Sequence, residues 1–365
     1  MERKGFKTDR KILVIESDDW GSIRMPSNEA RENLKKQGVK FVGENSYDKY
    51  DCLASSEDLS CLVETLSSVH DKNGNPAIIT LNTIVANPDF ERIKESGYRE
   101  YFYEPFTETL KKYPEHGDAF EIWKKGIQMK VFMPQCHGRE HLNVPLWMRL
   151  LQQGEKNTLA SFCEGTYTMI QENMPYGVMP AYDVYSDQDK QFVCDSIEEG
   201  LKLFYQIFGF KSKSFIAPCY LWDDFIELAT KNSGVKYLQG SYFQSKYSYK
   251  TSIAHYTGES NKYEQIYLTR NCEFEPTRDH CDYIDKCLSS IEKAFRLRKP
   301  AIISSHRENY IGCLHPENRE NTLSQLKEIL TRIVERYPDI EFMSSDQLGE
   351  LIENDKKANT YDIQL

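Results

Sequence analysis

The chain has little of several things that would narrow its class at once. No apolar stretch approaches the roughly 20 residues of a membrane-spanning helix, so no membrane span is expected. Basic residues are in deficit: 46 Lys and Arg face 56 Asp and Glu, a formal charge of -10. That balance argues against nucleic acid as a partner, because neutralising phosphates takes a basic face. No GxGxxG or GxxxxGK[ST] turn follows an apolar run, so the usual phosphate cradles are missing. No G-x-S-x-G elbow announces a serine nucleophile. The ten cysteines are scattered, with no CxxC pair, and Met1 to Lys11 is charged, without the apolar core of an export signal. Reduced thiols and a cytoplasmic location are the expectation.

What the chain does have begins at Lys11-Ile-Leu-Val-Ile-Glu-Ser-Asp-Asp-Trp-Gly21. Four apolar residues in succession suit a strand buried on both faces, as in a parallel sheet. Two adjacent carboxylates at its end cannot stay ionised in an apolar interior without a cation or hydrogen-bond donors. Either the strand emerges into solvent there, or the pair holds something.

Further along, apolar runs at Ala77 to Leu81, Lys130 to Met133, Lys213 to Ala217, Val235 to Leu238, Ile266 to Thr269, Ala301 to Ser304 and Ile340 to Met343 read as strands. Helical patterns separate most of them: Asn28 to Gln37, Ser56 to His70, Asn143 to Gln153, Asp187 to Phe208, Trp222 to Asn232, Arg278 to Arg298, Asn318 to Arg336, and Ser344 to about Asn354. About eight strands alternating with helices predict an α/β architecture of mostly parallel strands. The absence of linker-like composition favours one barrel over residues 1–365, with insertions at about 90–126 and 240–265. The second insertion reads as a loop or hairpin, and the Tyr-rich segment Tyr237 to Tyr267 as a lid over a site.

Barrel strands aim their C-terminal ends at the active site. Those ends carry Asp18 and Asp19, then His137 and His141, then Pro218, Cys219 and Tyr220, and finally Ser305, His306 and Arg307. His137-Gly-Arg-Glu-His141 has a spacing that brings two imidazoles to one cation. With a carboxylate from the first strand it makes a His2Asp site with room for water, able to polarise a carbonyl. An adjacent Asp pair allows one carboxylate to bind the metal while its neighbour takes a proton. His306 is placed to return a proton to a leaving group.

In order and spacing these residues resemble the polysaccharide deacetylases of the NodB-homology type (carbohydrate esterase family 4). The family's Asp-Asp-Gly is matched by Asp18-Asp19-Trp20-Gly21, with Trp20 inserted. Its H-[ST]-x-x-H is matched by His137 to His141, with Gly138 in place of the hydroxyl residue. Its Arg-x-Pro-aromatic motif is partial in Phe215-Ile-Ala-Pro-Cys-Tyr220: the arginine that would orient the catalytic Asp is missing, leaving that role unfilled or to Arg24, Arg270 or Arg307. Its final strand ending in His is matched by Ala301 to His306.

The resemblance implies an irregular (β/α)7 barrel and a metal-dependent hydrolase that removes acetyl groups from an N-acetylated sugar or polysaccharide. It implies Asp18 as general base, His306 as general acid, and Asp19, His137 and His141 as ligands of a divalent ion, Zn2+ or else Co2+ or Ni2+. Trp20, Tyr220 and Trp222 are the aromatic candidates for stacking on a carbohydrate ring. Arg270, Asn271, Asn309 and Tyr310 are candidates for its hydroxyls. The altered motif keeps two alternatives open: hydrolysis of another amide or a glycosidic bond, and a catalytically silent carbohydrate-binding barrel. Nothing in the sequence sets an oligomeric state.

Overall fold

The first apolar run becomes a buried strand, and the rest of the sheet assembles around it. The computed structural model describes residues 4–39, 45–113, 116–167, 177–246, 248–279 and 281–363. Nine parallel strands form the main sheet. They are β1 (Lys11–Trp20), β2 (Ile79–Ile84), β3 (Phe132–Gly138), β4 (Ser214–Ile216), β5 (Tyr237–Gly240), β6 (Ile266–Thr269), β7 (Cys272–Glu273), β8 (Ala301–His306) and β9 (Ile340–Met343). Their order is β6-β5-β4-β3-β2-β1-β8-β7, with β9 beside the first part of β1.

The two ends of this path, β6 and β7, are successive in the chain, with only Arg270 and Asn271 between them. The Arg270 N–H donates to the Gly240 carbonyl on β5, and the Asn271 N–H donates to the Ile302 carbonyl on β8. A single peptide step thus joins the two edges, and the sheet curls into a nearly closed α/β barrel. Covering the edges in this way removes the unpaired ladders that would otherwise invite aggregation.

Side chains alternate across each strand, and on β1 this sorts the residues cleanly. Leu13 and Ile15 face outward into the large core under the helices. Ile12 and Val14 face inward, where they pack with Leu268 of β6, Ile302 of β8, and Leu348 and Ile352. The latter two come from the final helix, Ser345–Ile363, which plugs the barrel floor. Above that apolar layer the same inward parity brings Glu16, and above Glu16 comes Asp18. The register pairs Glu16 with Ser304 and Asp18 with His306. The barrel is therefore dry at its base and charged at the C-terminal mouth.

Several boundaries differ from the sequence reading for identifiable reasons. Pro134 does not end β3, which runs on through His137. The ladder from β3 to β4 begins only at Cys136, so no sheet bond asks for the N–H that proline lacks. The helix expected over Arg278 to Arg298 is two pieces, Pro276–Asp279 and Ile284–Arg296, and the last helix runs on past Asn354. Ser27 rather than Asn28 caps the first helix, its side chain accepting from Ala30 N. Within 240–265 there is a hairpin, Phe243–Lys246 against Thr251–Ala254. Parts of the two expected insertions, residues 114–115 and 247, lie outside the described residues.

Gly21 closes β1 at φ +81°, and a Cβ there would lie 2.3 Å from the Ile84 carbonyl oxygen. Both the left-handed backbone and the contact require glycine. Gly21→Ala is expected to lower unfolding free energy by about 1–3 kcal/mol, read as a lower urea midpoint at unchanged m-value.

Candidate functional site

Two irregularities in the ladder build the site. Between β1 and β2 the register shifts at Ser17 to Trp20: three steps on β1 match two on β2, from Leu81 to Thr83. The extra residue makes a bulge, and Asp19 in it takes φ 74°. In a regular strand adjacent carboxylates would point to opposite faces; the bulge lets both Asp18 and Asp19 line the same cavity. Between β2 and β3 the register shifts again, Thr83 pairing with Cys136 but Ile84 with Gly138. His137 is the extra residue there. Gly138, at φ +128°, lies where a Cβ would meet the Tyr182 hydroxyl at 2.7 Å, so a hydroxyl residue at that position would strain the backbone and displace Tyr182.

The two bulges bring Asp19, His137 and His141 together, with one ligand atom of each within 4.8 Å of the others. Asp19 Oδ1 is 3.5 Å from His137 Nε2 and 3.4 Å from His141 Nε2. His137 Nδ1 is 2.9 Å from the Ile216 carbonyl oxygen. An N–H at Nδ1 donates to that carbonyl and leaves the Nε2 lone pair facing Asp19. Asp19 Oδ2 accepts from Arg24 Nη2 at 2.9 Å, whereas buried Oδ1 has no hydrogen-bond partner. Burial opposes the charge on Asp19, yet Arg24, with His141 and His137 beside it, holds its carboxyl well below the usual range. Burial pushes His141 down to about 3, so its ring stays neutral. An ionised oxygen without a donor, facing two imidazole nitrogens, fits the N2O donor set of a divalent ion such as Zn2+.

Asp18 is held differently. Arg270 grips it with two nitrogens, Nη1 to Oδ2 at 2.8 Å and Nη2 to Oδ1 at 2.6 Å. Its Nε donates to Glu16 Oε2 at 2.7 Å, and Asn82 Nδ2 donates to Asp18 Oδ1 at 2.8 Å. Although burial works against ionisation, Arg270 brings the Asp18 carboxyl down to about 2. Across from it, His306 Nε2 stands 3.8 Å from Asp18 Oδ2. His306 Nδ1 lies 2.6 Å from Glu275 Oε1, and Glu275 Oε2 accepts from Asn309 Nδ2 at 2.7 Å. Burial lowers the His306 pKa but Glu275 outweighs it, with Asp18 and Asp19 assisting, and the ring is raised to about 10. Neighbouring Glu308 is pushed up to about 8 by burial and by Glu275, so it is neutral at pH 7.

Asp18, Asp19, Arg24, His137, His141 and His306 line a cavity of about 650 Å³ at the barrel mouth, together with Tyr47, Tyr220, Phe243 and Tyr249. Tyr220 is the one sequence-predicted aromatic that lies there. Trp20 does not: the bulge turns it outward into the core, edge-on to Trp123 and stacked on Tyr310, its Nε1 donating to Ser17 Oγ. Trp222 is also buried, stacked on His255 with Nε1 donating to Glu227. Neither indole has a face free for a sugar. Arg270 has its guanidinium committed to Asp18 and Glu16, and so orients Asp18 rather than reaching for hydroxyls. Asn271 braces the barrel seam by donating to the Pro300 carbonyl, Asn309 supports Glu275, and the Tyr310 hydroxyl donates to Ser305. Residues of the Tyr-rich segment, Ser241, Phe243 and Ser245, form one wall of the cavity.

Glu275, Asn82 and Tyr47 were not singled out by sequence reasoning. Asn82 ends an apolar run like the acidic pair does, and that position was a usable signal. Glu275 sits in a short irregular segment and Tyr47 in a helix of five residues, too short for a periodicity to point at it.

No protein-family model and no curated protein sequence matches the chain. Among solved structures it is similar to two proteins assigned as polysaccharide deacetylases. One, from Mycobacterium smegmatis, is 9% identical with a TM-score of 0.49, covering 97% of this chain and 94% of the other. One from Pseudomonas aeruginosa PAO1 is 10% identical with a TM-score of 0.46, covering 94% and 91%. The 4-alpha-glucanotransferase of Thermococcus litoralis is 9% identical with a TM-score of 0.49, covering 93% of this chain, which spans only 40% of that enzyme. At such identities the site is read from its own residues.

The His306–Glu275 pair has a sign that can be tested. A histidine raised from 6.5 to about 10 contributes stability that is complete below about 6.5 and is lost as pH rises through about 10. Glu275→Gln removes the main source of that rise, so the His306 imidazole is expected to titrate several units lower by NMR. An unchanged titration would show that Glu275 does not set its charge.

Proposed function

We propose that the chain is a metal-dependent hydrolase of the polysaccharide deacetylase kind, which removes acetyl groups from an N-acetylated sugar or polysaccharide. The observation that carries this reading is the Asp19–His137–His141 cluster beside an arginine-clamped Asp18 and a glutamate-held His306, all at one cavity mouth. Asp19 Oδ1 and the Nε2 atoms of His137 and His141 would hold the ion. When bound, a divalent ion supplies a Lewis acid that polarises the amide carbonyl and acidifies water, which a base as weak as Asp18 requires.

The remaining chemistry belongs to side chains. Arg270 and Asn82 fix the Asp18 carboxylate, and its Oδ2, the oxygen nearer His306, takes the proton from the attacking water. His306 is protonated at neutral pH and delivers its Nε2 proton to the departing amine nitrogen, while Glu275 holds the ring at Nδ1 and stabilises its charge. Amine departure needs that proton because an amide anion is a very poor leaving group. Tyr47, Tyr220 and Tyr249 offer amphipathic ring surface, and Phe243 an apolar ring, around the reacting centre, as suits a sugar.

Acetate release from N-acetylglucosamine oligomers, in metal-supplemented protein, is the test. Asp18→Asn is expected to reduce kcat by about 10²–10⁴-fold without changing metal content. Asp19→Asn is expected to lose one equivalent of divalent metal as well as activity. Wild-type protein that releases reducing ends without acetate would move the reaction to a glycosidic bond. No loss of metal in Asp19→Asn would overturn the ligand assignment.

A further inference from the structure

A second cluster of metal-type ligands lies away from the cavity, and the proposed activity makes no use of it. Cys52, His116 and Cys313 each present one ligand atom within 4.8 Å of the other two. They come from three separate segments. Cys52 lies between the helices Ser46–Tyr50 and Ser56–Ser67, His116 between Phe106–Lys112 and Ala119–Gln128, and Cys313 in the loop that follows His306. Cys52 and His116 are buried, and Cys313 is half-buried. All ten cysteines are free thiols, so no disulfide accounts for the convergence.

We infer that Cys52, His116 and Cys313 form a second binding site, for a thiophilic divalent ion of the Zn2+ class. Two thiolates and an imidazole are a soft to borderline donor set, which selects such an ion over Mg2+ or Ca2+. Two observations beyond the cluster itself support it. His116 Nε2 is 2.8 Å from the Leu53 carbonyl oxygen and 3.6 Å from Cys313 Sγ, while its other ring nitrogen, Nδ1, is buried with no partner. Nε2, the nitrogen beside the Cys313 sulfur, is the one placed to bind an ion, with the ring proton on Nδ1. In addition, Asp58 is built around Cys313: its Oδ2 accepts from Cys313 Sγ at 3.0 Å, and its Oδ1 from Gly312 N and Arg319 Nη1, each at 2.8 Å. That contact holds the Cys313 thiol in place; its S–H proton leaves when the sulfur binds an ion, with Arg319 at Asp58 to offset the charge.

The site sits where it would brace the first one without sharing a ligand with it. Asp51, next to Cys52, accepts two bonds from Arg307, at 2.9 and 3.0 Å, and lies 3.4 Å from Arg24 Nε. Arg24 in turn holds Asp19. An ion on Cys52 and Cys313 would clamp together the two segments that carry Asp51 and Arg307, and through them the support of Asp19. The inference stands on these residues whether or not the cavity is a deacetylase site.

Cobalt exchange of the full-length protein separates the two sites. Only a site with thiolate ligands gives a sulfur-to-cobalt charge-transfer band in the near ultraviolet, and the Asp19 cluster has no sulfur. With saturating Co2+ the band is expected in wild type and in Asp19→Asn, and is expected to vanish in Cys52→Ser and in Cys313→Ser. Should a serine variant fail to fold, His116→Gln serves in its place, with the band weakened or shifted. Metal analysis should find one equivalent left in Asp19→Asn. Absence of the band at saturating Co2+ would overturn the site, as would its persistence in both serine variants. So would a Cys52–Cys313 disulfide found by mass spectrometry in protein kept under reducing conditions.

Discussion

Everything at the barrel mouth depends on burying carboxylates next to guanidinium groups. Glu16, Asp18, Asp19 and Asp51 are all withdrawn from water, and each is met by an arginine: Arg270 for the first two, Arg24 for Asp19, and Arg307 with Arg24 for Asp51. Removing one partner of such a pair leaves an uncompensated charge, at about 3–5 kcal/mol. The network is therefore a constraint on the fold before it is a device for chemistry. Among the carboxylate oxygens of the network only Asp19 Oδ1 has no hydrogen-bond partner, and that oxygen is the one that two imidazoles face. A buried carboxylate oxygen without a donor is where a cation gains most.

The network could not be assembled on regular strands. Side-chain alternation would send one of two adjacent aspartates into the outer core, among Leu13, Ile15 and Trp123. The β1 bulge absorbs one residue, and the cost of a positive φ at Asp19 falls on a residue type that tolerates it better than most. The same extra residue resets the side-chain parity of the strand end, so Trp20 points out and seals the bulge from behind, with Ser17, Trp123 and Tyr310 around it. A second bulge does the corresponding work for His137. The convergence of Asp19, His137 and His141 is a consequence of ladder errors held in place by packing.

Sequence reasoning located most of the strands because parallel strands buried on both faces read as apolar runs, and the polar residue that ends each run is conspicuous. Asp18, Asp19, His137, His141 and His306 were legible on that basis, and they do converge. Bulges leave no such mark, which is why Trp20 read as a pocket wall when it is core. Trp222 follows the β4 strand closely enough to be taken for a mouth residue, but its indole stacks under His255 instead. Glu275 was hidden for another reason: its role comes from lying 2.6 Å from a histidine that is remote in the chain, and no local pattern encodes that.

Arg270 shows how a missing motif residue need not mean a missing function. The Arg-x-Pro-aromatic pattern would supply its arginine on β4, where this chain has Ile216. Arg270 instead stands at the seam between β6 and β7, one step beyond Thr269 and on the inward parity shared with Ile266 and Leu268. From there its side chain crosses the interior to Glu16 and Asp18 on β1. The interior of a small barrel is narrow enough that inward positions on quite different strands reach the same point. The constraint is a guanidinium at the level of Asp18, and several strands can meet it. Being at the seam adds a consequence: the residue that orients Asp18 is also part of the peptide step that joins the sheet's edges, so closure of the barrel and alignment of its charged mouth are set by the same short segment.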